Sequence, residues 1–256
     1  MPAGAPPIAL TVENARIEHA GRALFERLAL ALPAGRWTCL LGPSGVGKSS
    51  LLRLIAGLLP AGVARIAAAD GQPLAGRFAY MDQRDLLLPW LALRDNVGLG
   101  RRLRGEPAEP RRAEMLLDMV GLGARAGDRP AGLSGGERQR VALARTLMDD
   151  RPLVLMDEPF SAVDAITRLE LQNLAARLLA GRTVLLVTHD PIEALRLGHR
   201  VVVMARDTAL GAHLTPAIEP AGPPPRDPAG EPVQRLYGEL LQRLGAALAP
   251  VAGAAA

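Results

Sequence analysis

The chain has 256 residues, 49% hydrophobic and 22% charged, with a formal net charge of +4 at neutral pH. That length fits one large domain or two small ones, the balance is globular, and so small a charge with arginines spread along the chain argues against a nucleic-acid partner. Cys39 is the single cysteine, which excludes an internal disulfide and a multi-thiolate metal site, and no apolar run reaches the ~18 residues of a membrane span.

Met1-Pro2-Ala3-Gly4 is expected to begin no signal peptide, and the expected setting is reducing and cytosolic. Residues 9–31 carry apolar runs at strand spacing, broken near Ala20-Gly21 and ended by Pro33-Ala34-Gly35, which predicts two strands covering an edge of the core. A strand over 36–41 and a helix over 47–58 follow, the helix stopping at Gly57-Leu58-Leu59-Pro60. Segments 63–68 and 76–82 read as short strands on either side of Asp70-Gly71, with Gln83 directly after the second. From Arg84 to Asp128 the spacing of Met115, Leu116, Met119 and Val120 is helical, punctuated by Gly105, Pro107 and Pro110, which predicts a helical insertion.

A helix over 136–149 precedes the apolar strand Leu153-Val154-Leu155-Met156, which ends at Asp157-Glu158. Then come a helix over 164–179, a strand over 183–187 ending at Thr188-His189, a helix from near Pro191 and a strand over 200–204. Apolar strands alternating with helices predict a mostly parallel sheet covered on both faces. Beyond it, Pro216, Pro220, Pro223, Pro224, Pro225 and Pro228 predict a stiff linker, and residues 231–247 one amphipathic helix before an Ala-rich end.

Between the strand over 36–41 and its helix lies Gly42-Pro43-Ser44-Gly45-Val46-Gly47-Lys48-Ser49-Ser50. Strand, glycine-rich turn and helix in that order are the context of a phosphate-binding P-loop. Glycines let backbone N–H groups curl around phosphate oxygens with no Cβ in the way, and the helix N-terminus adds positive potential. In that pattern Lys48 reaches the β- and γ-phosphates and the Ser49 hydroxyl ligates Mg²⁺, so ATP and Mg²⁺ are the expected ligands. Among 30 lysines and arginines Lys48 is the one lysine, kept where a compact ammonium is wanted and a forked guanidinium does not substitute.

Two further stretches carry chemistry. Asp157 is placed to hold Mg²⁺ and Glu158 to orient or deprotonate a water attacking the γ-phosphate. An acidic pair capping a helix would look the same in isolation, but an apolar strand ending in acid beside a P-loop favours the metal and water roles. In Leu133-Ser134-Gly135-Gly136-Glu137, Ser134 can cap the next helix with Glu137 as its capping-box partner. Two consecutive glycines weaken a helix start unless the backbone must approach something closely, and exposed N–H groups there form an anion site. The chain thus carries two phosphate-binding helix ends, more than one triphosphate fills within a single compact subunit.

Gly42 to Ser49, Gln83, Leu133 to Glu137, Leu155-Met156-Asp157-Glu158, Ser161-Ala162-Val163-Asp164 and His189 stand in the order and spacing of the ABC ATPase family. Over about residues 8–205 the chain resembles the nucleotide-binding subunit of an ABC transporter. The resemblance implies an α/β fold: a P-loop NTPase (RecA-like) parallel sheet core, an N-terminal antiparallel β subdomain and a helical subdomain inserted over about 84–132. Residues 206–256 would be linker and C-terminal helix. It also implies a head-to-tail homodimer in which the P-loop of one subunit and Ser134-Gly135-Gly136 of the other sandwich ATP, which resolves the two anion sites by symmetry. In the family the residue matching Gln83 senses Mg²⁺ and the membrane partner, that matching Asp164 bridges the subunits, and that matching His189 contacts the γ-phosphate.

Two departures stand out. The family places an aromatic ring on adenine where this chain has His19, with Phe25 the nearest true aromatic; an imidazole stacks less extensively than a tyrosine. The segment between Lys48 and Gln83 is short, which trims the accessory β region, and Val163 stands where Leu is commoner.

Leu86-Leu87-Leu88-Pro89-Trp90 resembles importers of nitrate, sulfonate, taurine and pyrimidine thiamine precursors, at the place where the family docks a helix of the membrane subunit. Trp90 either enters that groove or fills the helical subdomain. An importer would bring a separate integral-membrane permease, a periplasmic or lipid-anchored solute-binding protein, and a peripheral position on the cytoplasmic face of the inner membrane. A soluble P-loop kinase of small metabolites and a non-transport ABC ATPase are the competing readings. A kinase would need no Ser-Gly-Gly stretch, and the non-transport types carry long heptad insertions or two cassettes.

Overall fold

Three strands, β3 (Trp37–Leu41), β6 (Leu153–Asp157) and β7 (Thr183–Val187), are buried at every position. Their sequences explain this: each is a nearly unbroken apolar run with no polar alternation, the pattern of a parallel strand covered on both faces. The computed structural model describes residues 5–19, 22–59, 63–207 and 211–248. Among these, nine strands form one sheet. The other strands are β1 (Leu10–His19), β2 (Arg22–Leu32), β4 (Arg65–Ala68), β5 (Phe78–Met81), β8 (Arg200–Asp207) and β9 (Gly211–Leu214). The order is β4-β1-β2-β9-β8-β3-β7-β6-β5. From β8 to β5 the pairing is parallel; from β8 through β9, β2 and β1 to β4 it is antiparallel.

Alternate residues of the parallel strands feed two cores. Cys39, Leu41, Val154, Met156, Val184 and Leu186 face one. Leu40, Leu153, Leu155, Leu185 and Val187 face the other, with helix α1 (Lys48–Ile55) and the antiparallel strands. The first core is shared with helices α2 (Leu93–Val97) and α4 (Pro110–Met119), then α5 (Gly135–Met148), α6 (Ala165–Leu178), α7 (Pro191–Leu197) and α8 (Glu231–Leu248), while α3 (Leu99–Leu103) buries no residue. Each of α5, α6 and α7 begins at a side-chain cap visible in sequence: Ser134, Asp164 and Asp190, the last followed by proline at the first helical position.

The segments on either side of Asp70-Gly71 end up at opposite ends of the sheet, β4 beside β1 and β5 beside β6. The C-terminal third differs more from expectation. β8 runs to Asp207 and β9 adds Gly211–Leu214, so the sheet continues past the boundary expected at 205. Nor is the proline-rich segment an outlying linker. Ile218 bridges to Val201. The Arg226 guanidinium, 7% exposed, donates to the carbonyls of Leu195, Gly198, Pro220, Ala221 and Gly222. Val233 and Leu240 of α8 are fully buried in the first core.

Candidate nucleotide-binding site

The loop from Gly42 to Gly47 joins the C-terminal end of β3 to the N-terminus of α1. Three of its positions admit no side chain without strain, Gly45 among them at φ 75°. Gly47 has φ 115°, and a Cβ at Gly42 would sit 2.5 Å from the Met204 carbonyl oxygen. Val46 is buried in the second core and pins the loop from beneath. Lys48, 5% exposed, donates through Nζ to the Gly42 and Pro43 carbonyls at 2.7 and 3.0 Å. Burial lowers its pKa, while the carboxylates of Glu158 and Asp157 work in the opposite direction. A cleft of about 330 Å³ opens over the loop, lined by Leu24, Ser44, Gly45, Gly47, Lys48, Ser49, Ser50 and Glu158.

Glu158 reaches this cleft from the end of β6, and Asp157 lies buried beside its Ser49 wall. The Ser49 hydroxyl donates to Asp157 Oδ1 at 2.8 Å. Asp157 is buried; its pKa is raised by desolvation first, with Asp82 and Glu158 adding repulsion against the Ser49 bond and Arg53. A hydroxyl and a carboxylate are both hard oxygen donors, and a dication there would relieve the crowded negative charge. Among the described residues no group of three or more His, Cys, Asp or Glu side chains is disposed to hold a metal. These donors therefore fit Mg²⁺ as it is held in phosphate sites, by one or two protein ligands with phosphate and water completing the shell.

Glu158 adopts φ 46°, a left-handed conformation costly for a side-chain-bearing residue, and its N–H donates to the Val187 carbonyl at 2.9 Å. Its Oε2 lies 2.9 Å from His189 Nδ1, within hydrogen-bond distance. Gln83 Nε2 donates to Ser161 Oγ at 3.3 Å, and Ser161 Oγ donates to the Glu158 carbonyl at 2.9 Å. Residues predicted from four separate stretches thus meet at one edge of the sheet.

Ser134, Gly135, Gly136, Glu137 and Asp164 gather elsewhere. Ser134 Oγ accepts from the Glu137 N–H, and the Ser134 N–H donates back to Glu137 Oε2 at 2.7 Å, completing the capping box. That backbone bond, ahead of the Arg125 guanidinium, holds the Glu137 pKa below its usual value. The two glycines differ: a Cβ at Gly136 would strike Thr167 Cγ2 at 2.4 Å, whereas one at Gly135 would meet nothing closer than 3.6 Å. Packing of α5 on α6 therefore explains Gly136 within the chain; it does not explain Gly135. Gly135 lines a cleft of about 610 Å³ with Gln83, Leu86, Arg138 and Ala162, which shares no residue with the cleft over Lys48. Asp164 accepts from the Ile166 and Thr167 N–H groups at 3.1 Å as the cap of α6.

His19 ends β1, and its side chain lies outside the described residues. Phe25 cannot serve as the adenine platform: it is fully buried, with its ring under Gly47. Leu24 instead faces the cleft, and Arg206 Nη2 donates to the Gly45 carbonyl at 3.2 Å. Neither carries a motif, and only the pairing of β2 with β9 and β8 brings them beside the loop. Trp90 is 64% exposed, so it does not fill the helical segment.

A family model described as ABC transporter matches residues 25–161, over half of the chain. This chain belongs to the ABC transporter family. An ABC transporter ATP-binding protein of Haemophilus influenzae, described as uncharacterized, is 45% identical over 220 residues, covering 84% of this chain and 90% of its own length. The aliphatic sulfonates import ATP-binding protein SsuB of Yersinia pestis is 44% identical over 215 residues, covering 80% and 74%. Its counterpart in Pseudomonas entomophila is 45% identical over 215 residues, covering 81% and 76%. Among solved structures, a dimeric post-hydrolysis state of the ATP-binding cassette MJ0796 bound to ADP and Pi superposes with a TM-score of 0.69 at 26% identity, covering 83% of this chain and 99% of that one. As an ABC ATPase this chain binds and hydrolyses ATP, on the α/β sheet of the P-loop NTPases.

Proposed function

We propose that this chain is the ATP-hydrolysing subunit of an importer, working as a head-to-tail homodimer against a separate membrane permease on the cytoplasmic face of the cell membrane. One observation carries the reading. Two anion-binding helix ends, at Lys48 and at Gly135, open into clefts with no lining residue in common. A two-fold partner brings the Ser134 end of each subunit onto the P-loop of the other, so that each ATP is held from both sides. The dimeric neighbour supports the pairing, and the import named in the SsuB relatives supports the direction of transport. Aliphatic sulfonates are the solute class to test first.

In this reading the N–H groups of Gly42, Pro43, Ser44, Gly45, Val46, Gly47, Lys48, Ser49 and Ser50, apart from the N-substituted proline, supply the phosphate cradle with the Lys48 ammonium, and His19 takes the adenine. Ser49, Asp157 and Gln83 hold Mg²⁺, which when bound neutralises charge on the β- and γ-phosphate oxygens. Glu158 orients a water and takes its proton as the water oxygen bonds to the γ-phosphorus. The bond to the bridging oxygen breaks, releasing ADP and inorganic phosphate. His189, held against Glu158, steadies the charge developing on the transferred group. From the opposite subunit, Ser134, Gly135, Gly136 and Glu137 close the pocket, and Asp164 bridges the pair.

Among the described residues no helix is long and apolar enough to cross a membrane. The passage for solute belongs to a permease, supplied by a solute-binding protein, and exposed Leu86 and Trp90 beside Gln83 provide its docking surface.

Replacing Glu158 by Gln keeps the size and removes the base. The variant should bind ATP, lose turnover by roughly 100-fold or more, and elute as a dimer. Cysteines at Ser134 and Ser44 should then crosslink between subunits with ATP present, and adding Trp90→Ala should spare the dimer while releasing the permease. An ATP-loaded variant that stays monomeric would sink the reading.

A further inference from the structure

Glu158 and His189 meet at 2.9 Å although they stand on different loops, one after β6 and one after β7. The pairing of β6 with β7 and the Glu158 N–H bond to the Val187 carbonyl bring the two strand ends together, and one side chain also spans the loops beyond them. Arg168, in the first turn of α6, does so. Its Nε donates to the Phe160 carbonyl at 3.2 Å and its Nη2 to the Val163 carbonyl at 3.1 Å, both in the loop that follows Glu158. Its Nη1 lies 3.6 Å from Asp190 Oδ2, in the turn that follows His189.

Each end of this bridge is itself braced. The Ser161 hydroxyl and N–H both donate to the Glu158 carbonyl, which ties the loop beyond Glu158 back onto that residue. Asp190 caps α7 by accepting from the Ile192 N–H at 2.9 Å and the Glu193 N–H at 3.3 Å, and its own N–H donates to Thr188 Oγ1. Between the two loops lies a cavity of about 10 Å³, lined by Glu158, Ser161, Arg168, Thr188, His189, Asp190 and Glu193. That is room for about one water. A planar guanidinium suits the place because its donors diverge in a fixed fork, reaching two carbonyls and a carboxylate at once.

We propose that Arg168 is a positioning residue for ATP hydrolysis, locking the loop that carries Glu158 to the turn that carries His189. The residues it grips, Phe160 to Val163, run directly into Asp164, so the lock keeps base and imidazole aligned when the second subunit engages that loop. The inference rests on the assignment of Glu158 and His189 to hydrolysis made above.

The test compares the purified wild type with Arg168→Ala, Arg168→Lys and Asp190→Asn, measuring kcat and KM for ATP. A displaced base should cost roughly 10- to 100-fold in kcat for Arg168→Ala while KM for ATP stays within about 3-fold, because the P-loop is untouched. Lysine keeps the charge but loses the fork, so Arg168→Lys should fall between. Asp190→Asn preserves the cap and removes the ion pair; combined with Arg168→Ala it should cost no more than Arg168→Ala alone. Wild-type kcat in Arg168→Ala, a rise in KM that matches the fall in kcat, or multiplicative losses in the double variant would each overturn the proposal. If Arg168→Ala does not fold, full kcat in both Arg168→Lys and Asp190→Asn overturns it, and a loss in either with KM held supports it. Glu158→Gln run alongside separates the two levels: if that variant still turns over, the assignment of the base is wrong and the role of Arg168 goes with it.

Discussion

Glu193 shows how one buried side chain can make stability depend on pH. It is 4% exposed on α7, and its pKa is pushed up from 4.5 to about 8, by burial first and by the neighbouring Asp190 carboxylate second, against hydrogen bonds from Thr188 and Gln172 and the charge of Arg168. In the folded chain it therefore keeps its proton across a range where the unfolded chain has lost it. Folding binds a proton in that window, so the stabilisation is complete below pH 4.5 and drains away as pH rises toward 8. The slope is at most ~1.4 kcal/mol per pH unit. Glu193→Gln, which carries no titrating proton, should lose less stability than wild type between pH 5 and 8 in urea melts. Parallel profiles would place the titration elsewhere. Nothing in the sequence marks Glu193, because its carboxyl is unusual only through what covers it. Lys48 was legible for the opposite reason: the carbonyls it grips, Gly42 and Pro43, are its own sequence neighbours, so a local pattern specifies the environment. His189 and Glu158 lie between, each sitting at the end of a readable strand, while their contact depends on the order in which those strands pair.

At the scale of elements, the start of α5 is built for close approach. Gly136 to Ala gains up to ~1 kcal/mol of helix propensity. The added Cβ, however, lies 2.4 Å from Thr167 Cγ2 on α6, and overpacking of that kind costs ~1–3 kcal/mol. The clash should win, lowering the melting temperature of Gly136→Ala. The double variant Gly136→Ala, Thr167→Ser removes the offending methyl and should recover the loss; no recovery would mean the glycine serves another purpose. Elements written as unbroken apolar runs or opened by a capping side chain were readable, among them β3, β6, β7, α5 and α6. β9 was not. Gly211-Ala212-His213-Leu214 has no β-branched residue, and it is a strand because β8 and β2 present edges for it to pair with. The helices between Leu93 and Met119 were legible as a helical region, and the break before α4 falls at the glycine and prolines expected to punctuate it; the break at Gly98 was not read.

Across the whole molecule, the segment after the sheet reads from composition as a proline-stiffened tether, and one side chain changes that. Among the described residues Arg226 has no acidic partner; it satisfies five main-chain carbonyls, two of them at the C-terminal end of α7. Arg226→Ala would leave buried acceptors unmet and should cost about 3 kcal/mol in chemical denaturation. An unchanged midpoint would show that water replaces the guanidinium at no cost. A helix of seven residues has almost no stability of its own, so α7 borrows its rigidity from what grips its two tips. One tip is clasped through Asp190 beside the Glu158–His189 pair, the other by Arg226. The short helix is thus held at both ends. Loosening the rear anchor, by proteolysis or by a partner peeling the tail away, would slacken His189 without touching a single group in the cleft.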